Sequence, residues 1–76
     1  MAIHTLKIEE KYALLHLCGV KPWEIRKFDK PFKNGDTIVF KINGTDKDYA
    51  RKIIYVYSGT SHGLKRGYCI ISLSIK

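Results

Sequence analysis

The feature that most constrains this chain is a series of short apolar alternations set apart by turn residues. Ile38, Phe40 and Ile42 take every second position of residues 37–43, the period at which strand side chains return to one face. Asn43-Gly44 follows, a pair suited to the positive backbone angles of a hairpin. Residues 45–48 make that connection longer than two residues. Residues 49–57, rich in Ile, Val and Tyr, supply the partner strand. Residues 68–75 repeat the pattern, with Cys69, Ile71, Leu73 and Ile75 alternating against Tyr68, Ile70, Ser72 and Ser74. Residues 4–8 and 23–28 read as shorter strands. In the second of these, Trp23, Ile25 and Lys27 share one face, and Glu24, Arg26 and Phe28 share the other.

A single stretch has the other period. Across residues 9–18, Ala13, Leu14, Leu17 and Cys18 recur at helical spacing and predict a helix with that apolar face. Glu9 and Glu10 suit its N-terminus, where the macrodipole favours negative charge. Gly19 is a helix stop, and Pro22 bars continuation. The order predicts an α+β fold: a small mixed β-barrel of about five strands, with the helix covering an opening, because short strands manage their edges by curling and closing.

With 76 residues there is room for a single domain, 1–76, and a thin core. Cys18 and Cys69 are expected to be small buried hydrophobes, as in a reducing compartment, rather than a disulfide or a metal pair. The histidines His4, His16 and His62 are scattered, so no metal site and no cofactor are expected. No apolar run reaches membrane length, and Lys7, Glu9 and Glu10 interrupt the start of the chain as a signal peptide would not allow. A cytoplasmic protein is the expectation.

Fourteen Lys and Arg against seven Asp and Glu give a net charge of +7, which favours an anionic partner without dictating the fold. No carboxylate follows Asp48. The most informative constellation is Lys21-x-x-Glu24-x-Arg26, directly after the helix stop. Glu24 and Arg26 lie two apart on a strand and project from one face. A carboxylate between a lysine and an arginine stays ionised and orients both cations. The guanidinium suits bidentate recognition of phosphate or a carbonyl, while the ammonium acts as a point charge. A solvated ion-pair face is the plain alternative.

Gly19-x-Lys21-x-x-Glu24-x-Arg26 after a short helix resembles the signature of ASCH domains, the activating signal cointegrator homology branch of the PUA-like barrels. His4-x-Leu6-Lys7-Ile8, the Glu24-Ile25-Arg26-Lys27 run with Asp29, Phe32-x-x-Gly35-Asp36 and Gly63-Leu64-x-x-Gly67-Tyr68 extend the likeness in order. They resemble a short bacterial and phage subgroup of unknown function. The resemblance implies a PUA-like barrel with a cleft beside the helix, in contact with RNA or a nucleotide-like ligand. Lys21, Glu24 and Arg26 would line that cleft, with His4 and Lys7 as neighbours.

Binding is the favoured function. Lys27, Lys30, Lys33, Lys65 and Arg66 would extend a basic rim whose phosphate contacts give affinity and salt dependence. Trp23, Phe28, Tyr49, Tyr55, Tyr57 and Tyr68 are candidates for stacking bases or for packing the core. A hydrolase is the alternative, with Lys21 and Glu24 as its catalytic pair. Some small ASCH proteins resemble amidohydrolases of acylated nucleosides, whose motif lysine works with a threonine three residues on and a later glutamate. Here Glu24 stands at the threonine position and no late acid exists. Ribonuclease chemistry would draw on His4, Lys7 and Lys21, and His62 is a further acid-base candidate. A phage-type inhibitor that binds a host protein is the third class.

Overall fold

The computed structural model describes residues 1–75. The elements run β1 (Ile3–Ile8), α1 (Glu10–Leu17), β2 (Trp23–Lys27), β3 (Thr37–Ile42), β4 (Asp48–Tyr57), a 3-10 turn at Ser61–Gly63, and β5 (Tyr68–Leu73). The strands form one mixed sheet in the order β1-β3-β4-β5-β2, with β1 parallel to β3 and the other neighbours antiparallel.

Alternation does what the sequence requires of it. His4, Leu6 and Ile8 from β1 face inward with Ile38, Phe40 and Ile42 from β3. Cys69, Ile71 and Leu73 line the same interior from β5. Apart from the polar His4, these residues make one core with Ala13, Phe32 and Ile53 inside the curl of the sheet. The register of β4 against β5 shifts between Ile53 and Tyr55. Such an irregularity bends a strand and adds twist, and here it falls within the part of β4 that pairs with β5, just after the part that pairs with β3.

The sheet curls into a half-barrel, and β1 and β2 are its two ends. No backbone ladder joins them among the described residues. A side chain crosses the gap instead: Arg26 Nη2 on β2 donates to the Lys7 carbonyl on β1 at 2.8 Å. This arginine occupies an edge that would otherwise present unpaired backbone groups.

The helix ends as expected. Gly19 has φ +72° and its N–H donates to the His16 carbonyl at 3.0 Å. The buried face, however, is not the one the apolar spacing marks. Ala13 and His16 are buried, whereas Leu14 and Leu17 are 55% and 48% exposed and Cys18 is exposed. The reason is polar. His16 finds hydrogen-bond partners inside the fold, and Ala13, three residues earlier on the same face, lets the helix backbone approach the sheet closely. Cys18 is therefore a surface thiol, while Cys69 is buried as expected. No helix among the described residues is long and apolar enough to cross a membrane.

Candidate functional site

Glu24 is the centre of the site. Its position on the inner face of β2 leaves it 6% exposed, and a carboxylate so buried must be matched by donors. Lys21 Nζ donates to Oε1 at 2.9 Å, and Arg26 Nε donates to Oε2 at 2.9 Å. Arg26 Nη2 also lies 2.9 Å from Oε2, so the guanidinium meets the carboxylate edge-on. Lys21 reaches it because the backbone turns sharply after Gly19. The Val20 and Lys21 N–H groups both donate to the Leu15 carbonyl, at 3.0 and 3.1 Å. That turn brings residue 21 back over β2.

His16 approaches the same carboxylate from the helix. Its Nε2 is 3.3 Å from Glu24 Oε1 and 3.2 Å from the Trp23 carbonyl. Two oxygens at Nε2 assign the proton to that nitrogen, leaving Nδ1 to accept from the Tyr49 hydroxyl at 2.7 Å. The neutral imidazole is thus satisfied on both sides. Burial holds its pKa below the ordinary value, overriding the opposite pull of the Glu24 charge. Burial, with the Glu24 charge second, pushes the Tyr49 phenol up to about 12. At neutral pH one carboxylate, one ammonium and one guanidinium leave the cluster with a net positive charge.

The cations face a groove. One hollow of about 300 Å³ is lined by Tyr12, Lys21, Trp23, Glu24 and Ile25. A second, of about 370 Å³, shares Tyr12, Glu24 and Ile25 and continues past Arg26 to Lys7 on β1. The Lys21 ammonium stands 4.6 Å from the Trp23 ring centroid and 5.1 Å from that of Tyr12, within cation-π range of both. The groove therefore combines fixed donors with two half-exposed aromatic rings.

Of the residues singled out from sequence, Lys7, Lys21, Glu24 and Arg26 converge here. Lys27 lines a different hollow, with Leu6, Ile25, Asp29, Lys30, Phe32 and Tyr68. Lys65 lies beyond it, 5.9 Å from the Tyr68 ring, beside His62. Arg66 is exposed in the loop before β5. His4 sits apart from the groove. Three residues before Lys7 on a strand, it points to the opposite face, and its Nε2 lies 2.9 Å from Asp36 Oδ2 in a buried pair. That hydrogen bond, followed by one from the Ala2 N–H, holds the Asp36 carboxyl below the usual carboxylate range. Asp36 also accepts from the Lys33 N–H, so the His4–Asp36 pair ties the chain start to the turn before β3.

Sequence reasoning missed His16 and Tyr12. His16 had a readable signal: a histidine three residues after an alanine shares its helical face. Tyr12 had none, since only the turn at Gly19 brings Lys21 beside it. Among the described residues no group of three or more His, Cys, Asp or Glu is placed to hold a metal ion.

The chain belongs to a family described as a domain of unknown function (DUF3850), which matches residues 3–73. No curated protein matches it.

Proposed function

We propose that the groove between α1 and β2 binds RNA or a nucleotide-like ligand, in a cytoplasmic protein built as an ASCH-type, PUA-like barrel. The observation that carries this reading is the buried Glu24, which holds Lys21 and Arg26 at 2.9 Å each beside the half-exposed rings of Tyr12 and Trp23. The roles divide by chemistry. Glu24 positions the cations and does not meet the ligand, because its oxygens are already engaged. Lys21 and the remaining N–H groups of Arg26 meet phosphate or carbonyl oxygens. A base rests on an aromatic face, which tolerates any base. Lys7 adds charge from the other side of the groove.

Fluorescence anisotropy with labelled RNA and with nucleoside monophosphates, over a salt series, tests the reading. Binding should weaken with salt, and Lys21→Met should reduce the slope for single-stranded RNA by about 0.7, the share of one phosphate contact. Lys47→Met, in the exposed β3–β4 loop, should leave it unchanged. An absence of binding to either ligand class at low salt refutes the proposal. Release of free acid from an acylated cytidine, lost in Lys21→Met, would replace it with the hydrolase alternative. Capture of a protein partner that survives nuclease treatment would favour the inhibitor.

A further inference from the structure

The outer face of the sheet beyond the groove is unusually apolar and aromatic for a chain of net charge +7. Pairing of β2 with β5 sets Trp23 opposite Ser72, Ile25 opposite Ile70 and Lys27 opposite Tyr68. Pairing of β5 with β4 sets Ser72 opposite Tyr55 and Ile70 opposite Tyr57. Opposed residues share a face, and on β5 this face is the one away from buried Cys69 and Ile71. Three strands therefore present Trp23, Ile25, Tyr68, Ile70, Tyr55 and Tyr57 side by side on the outside. Trp23, Ile25 and Tyr55 are 41%, 48% and 55% exposed. No carboxylate occupies an outward position in these paired segments.

We propose that this face is a second binding surface, on which single-stranded RNA leaving the groove continues across β2 and β5 towards β4. The inference rests on the groove reading and extends it from a nucleotide-sized ligand to a strand. Continuity supports it: Trp23 and Ile25 line the groove and also stand on the outer face. Ile25 also borders the hollows that hold Lys27 and Lys65. Charge complementarity supports it as well. Lys21 stands over the Trp23 ring at one end and Lys65 near the Tyr68 ring at the other, so each end of the β2–β5 platform pairs a ring for a base with a cation for its phosphate. From β2 to β4 is two strand spacings, roughly 10 Å, which gives room for more than one base. A second copy of this chain is disfavoured as the occupant, because two like-charged bodies would have to meet face to face.

The test compares a nucleoside monophosphate with a single-stranded RNA octamer and its DNA counterpart, using the full chain. Anisotropy and quenching of the sole tryptophan, Trp23, serve as readouts. The octamer should bind tighter than the monophosphate. Tyr55→Ala and Tyr68→Leu should each weaken the octamer about 5- to 100-fold and leave the monophosphate unchanged. Tyr55 is exposed, so Tyr55→Ala removes no core packing, and a melting curve verifies each fold. RNA should outbind DNA of the same sequence. If the monophosphate binds but the octamer gains nothing, or the tyrosine variants bind it as wild type does, the outer face is not the surface and the groove reading survives. If neither ligand binds, both readings fall. If the DNA octamer matches the RNA, the commitment to RNA is overturned. Self-association on sedimentation that Tyr55→Ala abolishes would make the face a contact between copies and overturn the proposal.

Discussion

Replacing Glu24 by glutamine isolates the charge at the centre of the groove, because the shape of the side chain is kept. The variant retains one acceptor oxygen and turns an NH2 group towards a cation. In the native protein that carboxylate faces Lys21 Nζ at 2.9 Å, Arg26 Nε and Nη2 at 2.9 Å each, and His16 Nε2 at 3.3 Å. Removing one member of a fully buried ion pair costs about 3–5 kcal/mol. Lys21 and Arg26 keep 17% and 27% of their side-chain exposure, so water takes over part of the lost interaction and about 2–3 kcal/mol is expected. For a domain of this size that is a fall in Tm of roughly 10–20 °C. In urea the midpoint should move with the slope m unchanged. Glu9→Gln is the control. Glu9 is 62% exposed and 3.7 Å from Lys11, and its loss should stay within about 0.5 kcal/mol. A Glu24→Gln effect no larger than that of Glu9→Gln would refute the reading of Glu24 as the organiser of the groove.

Two other outcomes follow from burial. His16 has its pKa lowered from 6.5 by burial, so as pH falls through 6.5 the unfolded chain takes up a proton that the folded chain still refuses. Stability should therefore decline on acidification below 6.5, by at most about 1.4 kcal/mol per pH unit from this group; an NMR titration placing the His16 midpoint above 6.5 would refute it. Cys18 is exposed, while Cys69 is buried with its thiol pushed up by that burial. A disulfide reagent should thus modify one thiol quickly in the native protein and the second only in denaturant, and rapid modification of both would contradict the placement of Cys69.

The strands were legible in the sequence because each carries its own alternation. Ile38, Phe40 and Ile42, and likewise Cys69, Ile71 and Leu73, occur at a period that only a half-buried strand uses, and they lie inside as that period requires. The helix was legible as a helix but not in its orientation. Its leucines outnumber its other candidates, yet the docked face is fixed by His16, whose partners are the Trp23 carbonyl on β2 and Tyr49, 33 residues away on β4. The Lys21, Glu24 and Arg26 cluster was legible because it is local: a turn and a single strand place all three. His4 was misleading for the reason that makes strands readable. Its parity with Leu6 and Ile8 puts it inside, and its proper partner, Asp36, stands in the turn before β3. Closure of the barrel was not legible, since no local pattern states whether the first and last strands of a curled sheet will pair.

That incomplete closure bears on the site itself. A ladder between β1 and β2 would consume the edge of β1 and shut the gap beside Arg26. With the strands apart, one guanidinium serves both purposes: it grips Glu24 on its own strand and the Lys7 carbonyl on the opposite edge. The groove between α1 and β2 and the seam between β1 and β2 are thereby one mechanical unit, in which the residue that shapes the binding surface also holds the two ends of the sheet at their spacing. Lys21 does not share this double duty. Its ammonium meets Glu24 and the rings of Tyr12 and Trp23, all within the groove, so removing it perturbs the groove without releasing the seam. For that reason Lys21, and not Arg26, is the position at which a loss of ligand affinity reports on recognition rather than on the spacing of the strands.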